Sequence, residues 1–390
     1  MNYRILKDRI DHWIFEEYRV PPRALSVFRI AYSAFVLLII GVPPFRWIGG
    51  KPDIFFDPPL FSVVALFDGF LAPSFFWGLD IVVTLLFVCL LFGFRTRWTS
   101  CLLAIGLFAG FSWSYAYGKI NHDTLLMALV PLAMSFSGWG AYFSLDQIRR
   151  HPDRSTAESP PSEVSPSGVP PSEVPPSERL EQYWPIALLA LLLGFGMFSA
   201  GVPKLLSGWL DPATHAVQGY AVRQHYDFFA DQLLTPFMIH YDQPWFWEAL
   251  DFSAVLFEVG FLLAVAKRSV FRFFIVLAVV FHLANCLMLN IGFSRNIALY
   301  LLFIDWRPVM RWIDQDTRWQ KYISFRSLAL ACVVFLSYYL VGLPPLFRGA
   351  TLLFGVDSLT SEVLLTGLTA VFFGLNYWNS LSVPSTFVKS

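Results

Sequence analysis

Residues 184–204 read WPIALLALLLGFGMFSAGVPK, twenty residues without a charge followed by Lys204. A run of about 20 apolar residues is long enough to cross the hydrocarbon core of a bilayer as a helix. In lipid the backbone must satisfy its own polar groups, which a helix does within one segment. The run therefore predicts a transmembrane helix, with a basic side chain where it leaves the membrane.

Nine further runs have the same character. The ten expected spans are 24–42, 75–94, 97–117, 122–137, 184–203, 246–266, 270–289, 291–306, 327–346 and 361–379, the fourth and eighth being short. The expected fold is all-α, a polytopic transmembrane bundle. The rest of the composition agrees: 56% of the 390 residues are hydrophobic and only 14% charged, with 40 Phe and 14 Trp. Soluble domains carry about 25% charged residues. Zero formal net charge leaves no basic surface for nucleic acid.

Lys and Arg favour cytoplasmic loops. The head (Arg4, Lys7, Arg9, Arg19, Arg23), the Arg95/Arg97 turn, the stretch with Arg149, Arg150, Arg154 and Arg179, the Lys267/Arg268 turn and the stretch from Arg307 to Arg326 are the rich ones. They alternate with loops carrying Arg46 and Lys51, Lys119, Lys204 and Arg223, Arg295, and Arg348. This alternation predicts both termini in the cytoplasm and a multi-pass protein of the inner membrane. No cleavable signal peptide is expected, because the charged, aromatic head lacks a small-residue cleavage pattern.

Ser155 to Glu178 is almost wholly Pro, Ser and Glu, with PPSEV at Pro160–Val164 and again at Pro170–Val174. Such a stretch cannot bury enough surface to offset its ordering entropy. It divides the chain into a first transmembrane part at 1–154 (spans one to four), a cytoplasmic linker at 155–178 and a second transmembrane part at 179–390 (spans five to ten). Residues 3–19 mix Ile5, Leu6, Trp13, Phe15 and Tyr18 with charges. They read either as an interfacial amphipathic helix or as a lip of the membrane domain. Cys89, Cys101, Cys286 and Cys332 lie singly in apolar runs and read as small core residues.

Three spans end on the expected outer face with a basic group: Gly118–His122, Ala200–Lys204 and Phe281–Asn285. Ionisable groups at membrane depth are costly and tend to be functional. Lys204 reads as a snorkelling lysine or as a base. His122, between Asn121 and Asp123, reads as part of a helix cap or as a site residue. His282 has Asn285 one turn on, and reads as a buried hydrogen-bonded histidine or as a site residue. His215, His225 and His240 fall on the same face without a zinc spacing, so no metal site is expected; nor is there a P-loop, GxGxxG or GxSxG motif. Deeper in the spans, Arg29 is expected to pair with a carboxylate. Asp80 and Asp251 are further buried charges, and Glu258 is a proton-relay candidate.

In order along the chain stand Phe28-Arg29-Ile30, Pro52-Asp-Ile-Phe-Phe56, Gly118-Lys-Ile-Asn-His122, Phe143-Ser-Leu-Asp146, Phe198-Ser-Ala-Gly-Val-Pro-Lys204-Leu205 with Trp209, and Phe281-His282 through Asn285 to Ile291-Gly-Phe293. Over residues 15–310 this series resembles the HTTM membrane domain shared by vitamin K-dependent gamma-carboxylases and bacterial proteins; the expectation is a bacterial type without the luminal domain. In the carboxylases a lysine at the position of Lys204 deprotonates vitamin K hydroquinone. Oxygen converts the quinol to its epoxide, a proton leaves a glutamate gamma-carbon, and carbon dioxide adds there. The carboxylases carry a basic residue where Pro203 stands here.

The resemblance implies Lys204, His122 and His282 as catalytic residues, with Asn121, Asn285 and Trp209 binding substrate. It implies vitamin K hydroquinone or menaquinol as the cofactor, and a bilayer, a lipid-soluble quinol and an outer-face substrate as partners. The expected activity is that of a quinol-dependent epoxidase- or carboxylase-like lyase. Two other classes stand beside it: a transporter using Glu258, Asp251 and Arg29 as a relay, and a non-catalytic scaffold or sensor that docks partners through its linker.

Overall fold

The computed structural model describes residues 3–60, 62–118, 122–150, 183–315 and 323–382, apart from the side chains of 122–123, 314–315 and 382. The linker at 155–178, Lys119 and Asn121 lie outside them. Among the described residues there are helices and no strands.

Helix α1 (Tyr3–His12) buries none of its residues and passes into a wider turn at Trp13–Glu17. Trp13 Nε1 and Tyr18 OH both donate to the Val265 carbonyl, at 3.0 and 2.7 Å. The head of the chain is thereby tied to a turn 250 residues away in sequence on average. Burial pushes the Tyr18 phenol well above its ordinary range.

Next come α2 (Pro22–Ala34), continued by a wider π segment to Ile40, then α3 (Pro73–Phe92), α4 (Thr96–Tyr115), α5 (His122–Met134) and the short α6 (Leu145–Arg150). The second part holds α7 (Trp184–Leu206), α8 (Ala216–Phe228), α9 (Thr235–Met238), α10 (Pro244–Ala264) and α11 (Arg268–Leu289). It continues with α12 (Ser294–Tyr300), α13 (Arg307–Gln315), α14 (Phe325–Val341), α15 (Leu346–Leu353) and α16 (Ser358–Ser382). Proline opens the first turn of α2, α3, α7 and α10, where its missing N–H costs nothing.

Among the described residues, five helices are long and apolar enough to cross a membrane: Pro22–Ile40, α3, α7, α11 and α16. A sixth arises if α14 and α15, bent by 54° at their junction, form one span. All ten apolar runs read from the sequence fall on helices. The remaining four fall short on physical grounds. Helices α5 and α12 are brief, α4 is diluted by Ser, Thr and Gly, and α10 carries Glu248, Asp251 and Glu258.

Helix α10 shows which way the bundle is turned. Phe252, Leu256 and Leu263 point outward, Leu263 being 77% exposed, while Trp247, Asp251, Glu258 and Phe261 are buried. Spacings of three, four and seven place each set on one face of a helix. Apolar side chains outside and carboxylates inside fit a lipid surround, in which ionisable groups face the bundle interior. The architecture is compatible with an integral membrane protein.

Three carboxylates, Asp80 and Asp251 buried and Asp146 half-buried, stitch elements together by accepting backbone N–H groups from elsewhere. Asp80 on α3 takes the amides of Phe45 (2.6 Å) and Arg46 (3.1 Å). Asp146 takes those of Arg95 (2.8 Å) and Thr96 (2.7 Å) at the start of α4. Asp251 takes those of Ala216 and Val217, both at 2.7 Å, at the start of α8. Each satisfies helix-start or turn donors that would otherwise be orphaned in an apolar setting.

Helices α7 and α10 pack along their length. Gly194 and Gly201, two turns apart, make the approach close. A Cβ on Gly201 would stand 2.9 Å from the Glu258 Cβ and 3.0 Å from the Val259 backbone nitrogen. Small residues at such spacing let membrane helices meet backbone to backbone.

Candidate functional site

The close α7–α10 contact sets the geometry of the candidate site. Lys204 lies three residues beyond Gly201, so its side chain starts on the face that meets α10. Its Nζ donates to Glu258 Oε1 at 2.5 Å. The Lys204 side chain is 24% exposed and that of Glu258 only 6%. The second carboxylate oxygen, Glu258 Oε2, is buried and has no hydrogen-bond partner among the described residues.

Past Lys204 the chain turns at Gly208, whose φ of +84° lies in the left-handed region that glycine adopts without strain. The turn brings the Trp209 ring to 4.9 Å from Lys204 Nζ, within cation–π range. The ammonium is thus held between a carboxylate and an indole face, a partly dry setting in which both contacts gain strength.

Nearly three turns away along α10, His215 Nδ1 lies 3.5 Å from Glu248 Oε1. His215 sits at φ +43° immediately before α8, whose first amides Asp251 caps. The helix following the Lys204 turn is therefore fixed to α10 by the Asp251 carboxylate.

His282 belongs to a second cluster, between α11 and α12. Its Nε2 is 2.8 Å from Tyr300 OH and 3.4 Å from Asn296 Nδ2, and its ring stacks on Phe293 at 4.5 Å. His282 Nδ1 and Asn296 Oδ1 are buried without partners among the described residues. Asn285, expected to bind substrate one turn from His282, makes no side-chain hydrogen bond among the described residues; its carbonyl accepts the Asn290 amide that closes α11. The two clusters are linked by the contact of Phe257 with Phe281, centroids 5.0 Å apart, each ring adjacent in sequence to a site residue.

The structure brings Lys204 and Trp209 together and joins them to Glu258. His282 contacts Tyr300 and Asn296, with no hydrogen bond to Lys204. His122 opens α5, but its side chain and all of Asn121 lie outside the described residues. Arg29 departs from the expected carboxylate pairing. It donates to the Leu90 and Phe143 carbonyls, at 3.1 and 2.6 Å, closing the ends of two neighbouring segments.

The sequence reading missed three partners. Glu258 stood out as a buried charge, but its link to Lys204 depends on the register of α7 against α10. Asn296 and Tyr300 carry a weak signal, being four apart on one short helix and so on one face. No group of three or more His, Cys, Asp or Glu that could hold a metal ion occurs among the described residues. No family model, curated protein or solved structure matches the chain.

Proposed function

We propose that the chain is a ten-span protein of the inner membrane with both termini in the cytoplasm, and that Lys204 and Glu258 form the proton-transfer centre of a lipid-quinol-dependent enzyme of the HTTM, gamma-carboxylase-like type. One observation carries the reading: a half-buried lysine bonded to a buried carboxylate whose other oxygen has no partner among the described residues. Asp80 and Asp251, the other buried carboxylates among the described residues, each accept two backbone amides and so are engaged in the fold. Glu258 is not.

The 2.5 Å contact lets a proton pass between the Lys204 amine and the Glu258 carboxylate. The amine can then take the proton of an acidic hydroxyl, and Glu258 Oε2 offers a further acceptor. Trp209 supplies a flat wall beside Nζ, suited to an aromatic ring. A quinol bound there supplies the acidic hydroxyl and the reducing electrons. His282, bonded to Tyr300 and walled by Phe293, would orient substrate or relay a proton through the neighbouring cluster.

The ten-span reading draws support from contacts at the helix ends. Tyr18 with Val265, Phe94 with Phe325 and Asn376 with Asp305 join segments at one end of the bundle. Arg46 with Tyr339, Asn290 with Thr235 and Ser294 with Glu362 join segments at the other. Successive runs fit alternate directions between those ends.

The test is oxygen-dependent epoxide formation from vitamin K hydroquinone or menaquinol by purified protein, wild type beside Lys204→Ala. Epoxide made by the wild type and lost in a folded variant supports the reading. Full activity in the variant removes Lys204 as the base, and no epoxide from folded wild type removes the quinol chemistry. The transport reading draws less support, since Asp251 and Arg29 are engaged with backbone groups rather than arranged as a relay.

A further inference from the structure

A cavity of about 770 Å³ opens between the turn into α4, the segment that follows α5, and α6. It shares no lining residue with the Lys204–Glu258–Trp209 cluster. Four arginines line it: Arg95 and Arg97 from the turn into α4, Arg149 and Arg150 from the end of α6. All four are exposed, and none forms an ion pair among the described residues.

Asp146 is the single carboxylate in the lining, and its oxygens are engaged. Oδ1 accepts the Arg95 amide at 2.8 Å, while Oδ2 accepts the Thr96 amide at 2.7 Å and the Thr96 hydroxyl at 2.8 Å. The fully buried Arg29 guanidinium lies near enough to share its charge. The same bonds pin α6 to the start of α4. Arg149 and Arg150 lie three and four residues past Asp146, so they share its helix face and stand toward Arg95 and Arg97. Arg97 is also held by the Phe136 ring, whose centroid is 5.7 Å from its guanidinium. An aromatic face steadies a guanidinium and leaves its N–H edges to bind. The Ser135 and Ser137 hydroxyls donate inward, to the Leu132 and Met134 carbonyls at 2.7 and 2.8 Å.

We propose that this cavity binds a phosphate-bearing ligand, held by the arginines of α4 and α6 together. Guanidinium groups gathered around one opening repel one another, and an anion between them relieves that repulsion. Arginine matches phosphate through paired N–H···O bonds. A phosphate monoester has three oxygens and nearly two charges, so it can engage both pairs of arginines, which a carboxylate is too small to do. The volume falls in the usual range for small-molecule sites, about 300–1,000 Å³. A lipid headgroup and a soluble phosphate ester both carry this chemistry. Trp98 and Phe136, 69% and 47% exposed in the lining, suit the interface of a bilayer, where basic pockets between spans hold lipid headgroups. The inference does not rest on the quinol reading, because no residue of that site takes part.

Thermal unfolding of the full chain in a neutral detergent, titrated with three probes, tests the assignment. Dioctanoyl phosphatidic acid carries phosphate and chains, glycerol 3-phosphate the phosphate alone, and dioctanoylglycerol the chains alone. A ligand that binds the native state raises the melting temperature according to its concentration and affinity. Phosphatidic acid should raise it and dioctanoylglycerol should not. If glycerol 3-phosphate matches phosphatidic acid, the site takes soluble esters; if it falls well short, the site takes lipids. Arg97→Gln/Arg149→Gln should weaken phosphatidic acid about 10-fold, as expected for loss of two exposed ion pairs. Arg348→Gln, on α15 and outside the lining, should leave it unchanged. No rise with either phosphate probe, an equal rise with dioctanoylglycerol, or unchanged affinity in the double variant overturns the site.

Discussion

Lys204 Nζ and Glu258 Oε1 stand 2.5 Å apart across the α7–α10 contact, where two glycines bring the helices together. Neither group suits that place alone. A buried charge that loses its partner is costly, whereas replacing both by apolar groups is often neutral or better.

Stability should follow that asymmetry. Lys204→Met alone should destabilise by about 3–5 kcal/mol at most, since the lysine is partly exposed, and Glu258→Leu alone should also destabilise. The double variant should regain most of the loss. Thermal unfolding in detergent checks this; additive losses in the double variant would mean that the pair has no coupling.

Gly201 should tolerate no side chain. Gly201→Val places methyl groups against Glu258 and the Val259 backbone, and overpacking of this kind costs about 1–3 kcal/mol. The same change should displace Lys204 from Glu258. A variant as stable as wild type would contradict the close approach.

Asp251→Ala should free the start of α8. Losing a capping carboxylate costs about 0.5–2 kcal/mol. Hydrogen exchange should rise at residues 216–219 and stay unchanged at the start of α4, which Asp146 caps. A uniform rise would point to global loosening instead.

Tyr300→Phe should leave His282 Nε2 with only the long contact to Asn296, 3.4 Å. An unsatisfied buried polar atom costs about 1–3 kcal/mol. Nitrogen chemical shifts of the imidazole report the loss, and identical shifts in the variant would rule out the bond.

Asp357 gives the sign of a pH effect. The Thr360 hydroxyl, then the Thr360 and Leu359 amides, hold its carboxyl below the ordinary carboxylate range. A depressed folded value stabilises fully above the unfolded value, near ~3.9, and the contribution is lost as pH falls through the folded one. Protection of amides 359 and 360, corrected for intrinsic exchange rate, should hold at pH 6 and be lost as pH falls through the depressed folded value. Constant protection across that range would sink the cap.

The ten helical segments were legible because apolar runs announce themselves one at a time. The ionisable residues at depth, Lys204, Glu258, His282, Asp80, Asp251 and Arg29, were equally plain as expensive exceptions. Their partners were not. Whether Glu258 meets Lys204 or a backbone amide depends on how α10 is rotated against α7, and periodicity within one helix does not fix that. Arg29 illustrates the same limit: its partners are carbonyls, which have no sequence signature. In the resemblance motifs, Asp53 accepts the Phe70 amide and Asp146 caps α4, so several quoted residues support the backbone.

The carboxylate stitches also impose an order in time. Asp80 follows the amides it binds by 35 and 34 residues, Asp146 by 51 and 50, and Asp251 by 35 and 34. In all three, the donors leave the ribosome before their acceptor exists. At about 5–20 residues per second, each waits roughly 2–10 seconds. During that interval water, the insertion machinery or a neighbouring hydroxyl must satisfy the exposed amides. Each later segment, on arriving, locks the one before it, so the bundle closes in the direction of synthesis.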